Sequence, residues 1–174
     1  MASLYFANKL EDWIYCVDDN NQRRIKCRQS EMPGFYVSLS HSGDWVAVGI
    51  SGAAIGIDIE TYARQRDFIA IASHVFSVSE TAYLKSLAPE KLNQQFYLYW
   101  TLKECVAKKY GHGLKFEVSR AHAVIPETEP SAASIFSWET SDYVVSMAGK
   151  PGDILDMIGL GEPPATRCWK TVSV

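Results

Sequence analysis

Ile55-Gly56-Ile57-Asp58-Ile59-Glu60 is the stretch whose reading organises the rest of the chain. Its β-branched residues favour an extended strand, and successive side chains of a strand alternate between faces. Ile55, Ile57 and Ile59 therefore share one face, while Gly56, Asp58 and Glu60 share the other. Two carboxylates leaving one face together repel each other, and without a partner one tends to take up a proton. A hard divalent cation removes that conflict, because it prefers oxygen ligands. Gly56 leaves nothing bulky beside the pair. A polar strand face exposed to water, with no metal, fits the same pattern.

Upstream, Trp45 to Ser51 reads as another strand and Gly52-Ala53 as a turn, which predicts a hairpin over Trp45–Glu60. Phe35 to Ser40 is a further strand, preceded by a turn at Pro33-Gly34. Residues 18–22 carry a strong turn signal between a strand at Trp13 to Val17 and an extended Arg23-Arg24-Ile25-Lys26-Cys27-Arg28. Downstream, a short helix is expected over Asp67 to His74. Ser77-x-x-Glu80 has the capping-box pattern and starts a second helix running to about Leu87. Pro89 suits the first turn of a third, which extends to about Tyr110 and is ended by Gly111. Ala121 to Ile125, Ser134 to Glu139 and Tyr143 to Ala148 read as strands, the last two as a hairpin. The Gly- and Pro-rich tail from Pro151 gives no clear element. Strands, then helices, then strands make an α+β class with helices packed on antiparallel sheets.

The 174 residues, 47% of them apolar, suffice for one domain or two small lobes with a real core. A net charge of −3 gives no ground for a nucleic-acid or membrane partner. No window approaches the ~20 apolar residues of a membrane span, and Met1 to Leu10 lacks a secretory signal. Cys16, Cys27, Cys105 and Cys168 lack metal or redox spacing and read as free thiols of a reducing compartment. The expected location is cytoplasmic.

Further residues can carry chemistry. On the third helix, Phe96, Trp100, Lys103 and Ala107 fall near one face, with Tyr97 and Glu104 at its border. Glu104 and Lys108 are four apart, so they form either a surface ion pair or a third carboxylate beside a phosphate-binding lysine. In Ser38-Leu39-Ser40-His41-Ser42-Gly43 a histidine flanked by hydroxyls can donate to an anion or simply sit at the surface. The chain has neither a Gly-x-x-x-x-Gly-Lys loop nor a Gly-x-Gly-x-x-Gly fingerprint.

In this order and spacing the pieces resemble the 4′-phosphopantetheinyl transferases of the surfactin-synthetase-activating type. That family's Ile-Gly-Ile-Asp-Ile-Glu strand, Phe-Ser-x-x-Glu helix start and Trp-Ser/Thr-x-Lys-Glu-x-x-x-Lys helix correspond to residues 55–60, 76–80 and 100–108. Ser40-His41-Ser42-Gly43 and Gly111-His112-Gly113-Leu114 also match, so the resemblance runs from Phe35 to Val124. It implies two pseudo-symmetric lobes, the first reduced: residues 1–54, then 55–174 with the metal site. It implies transfer of the 4′-phosphopantetheine arm from coenzyme A to a serine of an apo acyl carrier protein or peptidyl carrier domain, releasing 3′,5′-ADP.

By the same resemblance Asp58, Glu60 and Glu104 hold Mg2+, and Lys108 contacts phosphate and stabilises the leaving group. Lys103 supports it, His41 and Ser40 lie near the coenzyme A phosphates, and Glu80 deprotonates the incoming serine. Glu80 equally fits its capping box. Larger members carry a longer N-terminal half with a basic grip for the 3′-phosphate. Here Arg24 and Lys26, sharing a strand face with Arg28, are the expected replacement, the alternative being a solvated basic edge strand. The competing function is a non-catalytic coenzyme A or carrier-protein binding module on a decayed transferase scaffold. A plain α+β domain with an incidental acidic patch is the third reading.

Overall fold

The computed structural model describes residues 9–28, 34–150 and 165–174. Pro33 of the expected Pro33-Gly34 turn, most of the tail from Pro151, and all but the end of the Met1–Leu10 stretch lie outside the described residues.

A 3-10 turn at Leu10–Asp12 leads into strands β1 (Trp13–Val17), β2 (Arg23–Cys27), β3 (Phe35–Ser42) and β4 (Trp45–Ser51). They form an antiparallel sheet in chain order. The β1–β2 connection follows from its acidic and amide residues, which bond the local backbone and tolerate left-handed conformations. Asp18 Oδ1 accepts from the backbone N–H groups of Asn20 and Gln22, both at 3.0 Å, and Asn21 stands at φ 59°.

The second sheet has the order β5-β8-β7-β9-β6 and is antiparallel throughout. Its strands are β5 (Gly56–Thr61), β6 (His122–Pro126), β7 (Ile135–Glu139), β8 (Tyr143–Ala148) and β9 (Arg167–Ser173). Between β5 and β6 run α1 (Phe68–Val75), α2 (Val78–Ser86), α3 (Pro89–Lys109) and α4 (Phe116–Arg120). Asp67 caps α1, the Ser77–Glu80 capping box starts α2, and Pro89 opens α3. Gly111, at φ +74°, turns the chain after α3 and donates its N–H to Lys108 O.

The hairpin expected over Trp45–Glu60 does not form. Strand β4 pairs with β3 and β5 pairs with β8, in different sheets. Strand β8, distant in sequence, pairs with β5 over its whole length, Gly56 opposite Ala148 to Thr61 opposite Tyr143, and takes the edge that the Gly52-Ala53 turn would have given to β4. Ile55, Ile57 and Ile59 pack with Phe136, Trp138 and Met147 and against Tyr36 and Ala47 of the first sheet. The opposite face of the sheet lies under α3, whose Phe96, Leu98, Leu102 and Cys105 share a core with Val144 and Ala148. The free edge of β5 meets the face of β3 instead of a strand. Ser38 Oγ accepts from the Ile57 N–H at 2.9 Å, and Ser42 Oγ from the Thr61 N–H at 3.1 Å. Buried backbone donors must find partners, and serine hydroxyls supply them here. Helix α4 and strand β9 had no clear signal in the sequence.

Gly56 has a different reason from the open approach expected of it. A Cβ there would lie 1.8 Å from the Cys105 carbonyl oxygen and 2.5 Å from the Lys109 nitrogen, so α3 crosses β5 at backbone contact. Gly56→Ala should destabilise the fold by about 3 kcal/mol or prevent folding, as overpacking does where the neighbour is backbone. Gly52→Ala, with no atom within 4 Å of the new methyl group, should leave the urea midpoint nearly unchanged.

Candidate active site

The close crossing of α3 and β5 brings the carboxylates together. Asp58 is 5% exposed. Its Oδ1 accepts from Ser40 Oγ and from Lys108 Nζ, each at 2.7 Å, and Lys108 Nζ also donates to Ile57 O at 3.1 Å. The other oxygen, Asp58 Oδ2, is buried with no hydrogen-bond partner. Glu60 Oε2 accepts from Ser42 Oγ at 2.8 Å. Glu104 leaves α3 one turn before Lys108.

The electrostatics follow from this crowding. Burial pushes the Asp58 carboxyl above its ordinary range, and Lys108 and Ser40 offset this only in part. Burial raises Glu60 as well; Ser42 opposes the shift, Asp58 adds to it, and the charges of Arg66 and Arg64 also oppose it. Glu104 is raised by burial first, then by Asp58 and Glu60, with Lys108 opposing. Three carboxylates held above their usual range, one with an unsatisfied buried oxygen, make a donor set that suits a hard cation. As the side chains stand, no three His, Cys, Asp or Glu residues among the described ones are gathered closely enough to hold a metal ion. Lys108 supplies the positive charge at Asp58 instead. The ion pair expected between Glu104 and Lys108 gives way to this Asp58–Lys108 bond.

The structure relocates several residues singled out in the sequence. Ser40, expected near the coenzyme A phosphates, donates its hydroxyl to Asp58. His41 is exposed on the face of β3 opposite Ser40 and Ser42. Glu80 is 4% exposed, and both its oxygens are engaged. Oε2 accepts from Ser77 N–H and Ser77 Oγ and pairs with Lys103 at 2.9 Å, while Oε1 accepts from the Val124 N–H at 2.8 Å. Lys103 is equally buried and also donates to the carbonyls of Ser119 and His122, at 2.7 and 2.6 Å. Glu80, expected as the general base, and Lys103, expected to support phosphate binding, here form a buried pair joining α2, α3, α4 and β6.

Arg24 is likewise committed. Its guanidinium donates to Gly34 O at 2.8 Å, stacks 3.7 Å over the Tyr36 ring and pairs with Asp18 at 3.5 Å. Lys26 lies on the same strand face, and its Cγ sits against Gly34. Neither lines the cleft next to Glu104 and Lys108. That cleft, about 400 Å3, is walled by Tyr15, Val17 and Arg23 of the β1–β2 hairpin and by Glu104 and Lys108 of α3. Arg23 was missed because the opposite parity of β2 was favoured. Ser38 and Ser42 were missed as carboxylate-side residues, although their alternation with Ser40 along one strand was the available signal. A second cavity, about 310 Å3, lies beyond the Gly111–Leu114 loop. Val106, Ala107, Leu114 and Val118 line it, together with Ser119, whose buried Oγ has no hydrogen-bond partner.

An antiparallel α+β fold with an acidic strand crossed by a Lys-Glu helix defines a class, and sequence comparison names it. A model of the 4′-phosphopantetheinyl transferase superfamily matches residues 54–148. The chain belongs to this superfamily. It is 33% identical over 122 residues to a 4′-phosphopantetheinyl transferase, psf-1, of Bacillus pumilus, covering 70% of this chain and 50% of that protein. It is 34% identical over 101 residues to the transferase AcpT of Salmonella typhi, covering 58% of this chain and 50% of that one. The chain thus spans about half the length of these curated relatives. A holo-(acyl-carrier-protein) synthase from Bacillus anthracis, in complex with CoA (3′,5′-ADP), superposes with a TM-score of 0.45 at 19% identity, over 55% of this chain and 92% of that one. The four cysteines are free thiols. Among the described residues no helix is long and apolar enough to cross a membrane.

Two outcomes follow from the geometry. Glu80→Ala leaves the Lys103 ammonium buried without its counter-ion, which costs about 3–5 kcal/mol; urea unfolding should show this loss, where a general base would leave stability intact. Because the carboxyls of Asp58, Glu60 and Glu104 are raised, their contribution to stability is full below the unfolded carboxylate pKa and is lost as pH rises through the folded values. In EDTA, Glu104→Gln should therefore melt higher than wild type, and the gap should widen as pH increases.

Proposed function

We propose that this chain transfers the 4′-phosphopantetheine arm of coenzyme A to a serine of an apo carrier protein, acyl or peptidyl, with release of 3′,5′-ADP. The observation that carries the reading is the buried Asp58 Oδ2 without a hydrogen-bond partner, on a carboxylate that raises the Glu104 carboxyl together with Glu60, next to a cleft that Glu104, Lys108 and Arg23 line. The names of the relatives support it, as does the pattern over residues 55–108. We read residues 1–54 and 55–174 as the two lobes that flank the site.

In the reaction the carrier serine oxygen bonds to the phosphorus that bears pantetheine. The bond from that same phosphorus to the bridging oxygen breaks, 3′,5′-ADP leaves with that oxygen and the bond's electron pair, and the serine proton passes to water. Transfer of this kind rests on positioning and on neutralising charge at the transferring and leaving oxygens. A magnesium ion held by Asp58, Glu60 and Glu104 would supply Lewis-acid neutralisation at the diphosphate. Lys108 is already desolvated in part and points at Asp58; with a cation on the carboxylates, its ammonium is free to bind a phosphate oxygen. Ser40 and Ser42 hold Asp58 and Glu60 in orientation. Arg23 faces the cleft as a second phosphate contact. The apolar cavity beyond the Gly111–Leu114 loop suits the slender pantetheine arm, with Ser119 Oγ available to one of its amides.

Mass spectrometry of apo carrier proteins incubated with this chain and coenzyme A tests the reading. With magnesium the carrier should gain one phosphopantetheine arm, and with EDTA it should not. Asp58→Ala or Glu104→Ala should lower turnover by orders of magnitude in a protein that remains folded. Turnover within a few-fold of wild type removes that residue from the site. Coenzyme A binding without transfer to any carrier favours the non-catalytic binding module.

A further inference from the structure

The turn between β1 and β2 reaches the exit of α3 and holds it. Asn21 Nδ2 donates to Gly111 O at 2.6 Å, and Gln22 Nε2 donates to Lys109 O at 2.5 Å. The last carbonyls of a helix have no partner within it; Gln22 supplies the missing donor at Lys109 O, and Asn21 bonds Gly111 O just past the helix end. The approach is backbone on backbone: a Cβ on Gly111 would lie 2.4 Å from Asn20 O.

The turn is braced for this task. Asp18 N–H donates to Gln22 O and Asn21 N–H to Asp18 O, both at 2.9 Å, while the Asp18 carboxylate accepts from the N–H groups of Asn20 and Gln22. The hydrogen bond from Gln22, with those from Asn20 and Arg24, holds Asp18 below its ordinary pKa and outweighs the opposing push of burial. Arg24 ties the same carboxylate to Tyr36 and Gly34. Asn21 keeps a left-handed conformation that asparagine tolerates better than most residues.

The bonded elements are the two walls of one cleft. The hairpin brings Tyr15 and Arg23 to one side, and α3 brings Glu104 and Lys108 to the other. We infer that Asn21 and Gln22 are positioning residues: the β1–β2 turn clamps the end of α3 and sets the width of the cleft, so that Arg23 and Lys108 address the phosphates of a single coenzyme A at a fixed separation. The inference rests on the transferase reading for the identity of the ligand. Neither amide bonds Asp58, Glu60, Glu104 or Lys108 side-chain atoms, so the clamp acts on binding and not on the transfer itself. If release leaves the closed cleft about one tenth populated, the apparent Kd rises about tenfold.

Calorimetric titration of coenzyme A into the whole chain, without carrier, reads this directly. The variant is Asn21→Gly with Gln22→Ala; glycine keeps the positive φ without strain and removes the amide. The Kd should rise about tenfold, while kcat at saturating coenzyme A stays unchanged, the signature of lost uniform binding. Gln22→Ala alone, which leaves the turn's backbone bonds in place, should give a smaller rise and serves if the double variant does not fold. An unchanged Kd in either folded variant, even with a lowered melting temperature, overturns the clamp. So does a fall in kcat at equal Kd. A wild-type chain that does not bind coenzyme A overturns the transferase reading, and this inference with it, before any variant is compared.

Discussion

Helix α3 lies on β5 with no side chain between them at Gly56. That one approach fixes what the rest of the molecule must solve. It places the neighbouring Asp58 under the helix, away from water, where a lone carboxylate is costly. The remedies come from two directions, Ser40 across the gap between the sheets and Lys108 from the overlying helix, while Oδ2 stays buried with no hydrogen-bond partner. The acidic set therefore depends on an absent side chain. A methyl group at position 56 moves the helix, and with it Glu104 and Lys108, away from the strand.

The other flank of α3 holds the helix in rotation. Lys103 and Glu80 are buried together, bonded to Ser77, Val124 and the carbonyls of Ser119 and His122. A buried ion pair is a weak source of net stability, but removing half of it is costly. Lys103 precedes Glu104 by one residue, so anchoring the first fixes the direction of the second. Desolvation lowers the Lys103 pKa and the Glu80 charge opposes that shift, which is the balance expected of a pair retained for geometry.

Much of this was legible in the sequence wherever a local rule governs. The Ser77–Glu80 capping box, Pro89 at a helix start, Gly111 at its end and the alternation of residues 55–60 each express short-range chemistry, and each appears in the fold as written. The failures share a long-range cause. Which strand pairs with β5 depends on Val144 and Met147, far along the chain, and no turn signal at Gly52-Ala53 encodes that. Strand β9 exists because β6 and β7 need a partner between them. Glu80 matches a motif whether it meets solvent or Lys103, since burial is a property of the packed helices. The choice between Arg23 and Arg24 turns on one residue of register, and both are arginines, so composition was silent. Arg24 stacks on Tyr36, opposite it in the sheet, a cross-strand contact that no local pattern announces.

The serine row of β3 has a consequence beyond the orientation of Asp58 and Glu60. Strand β5 is the rim of its sheet, and an open rim can recruit a foreign chain. Hydroxyls from Ser38 and Ser42 already occupy two of its outward amides, while their neighbour Ser40 faces the acid. Protection from misassembly and alignment of the carboxylates are thus assigned to the same short stretch of one strand. Selection cannot tune one without touching the other, so drift at these small, uncharged residues is constrained twice over, by solubility and by chemistry.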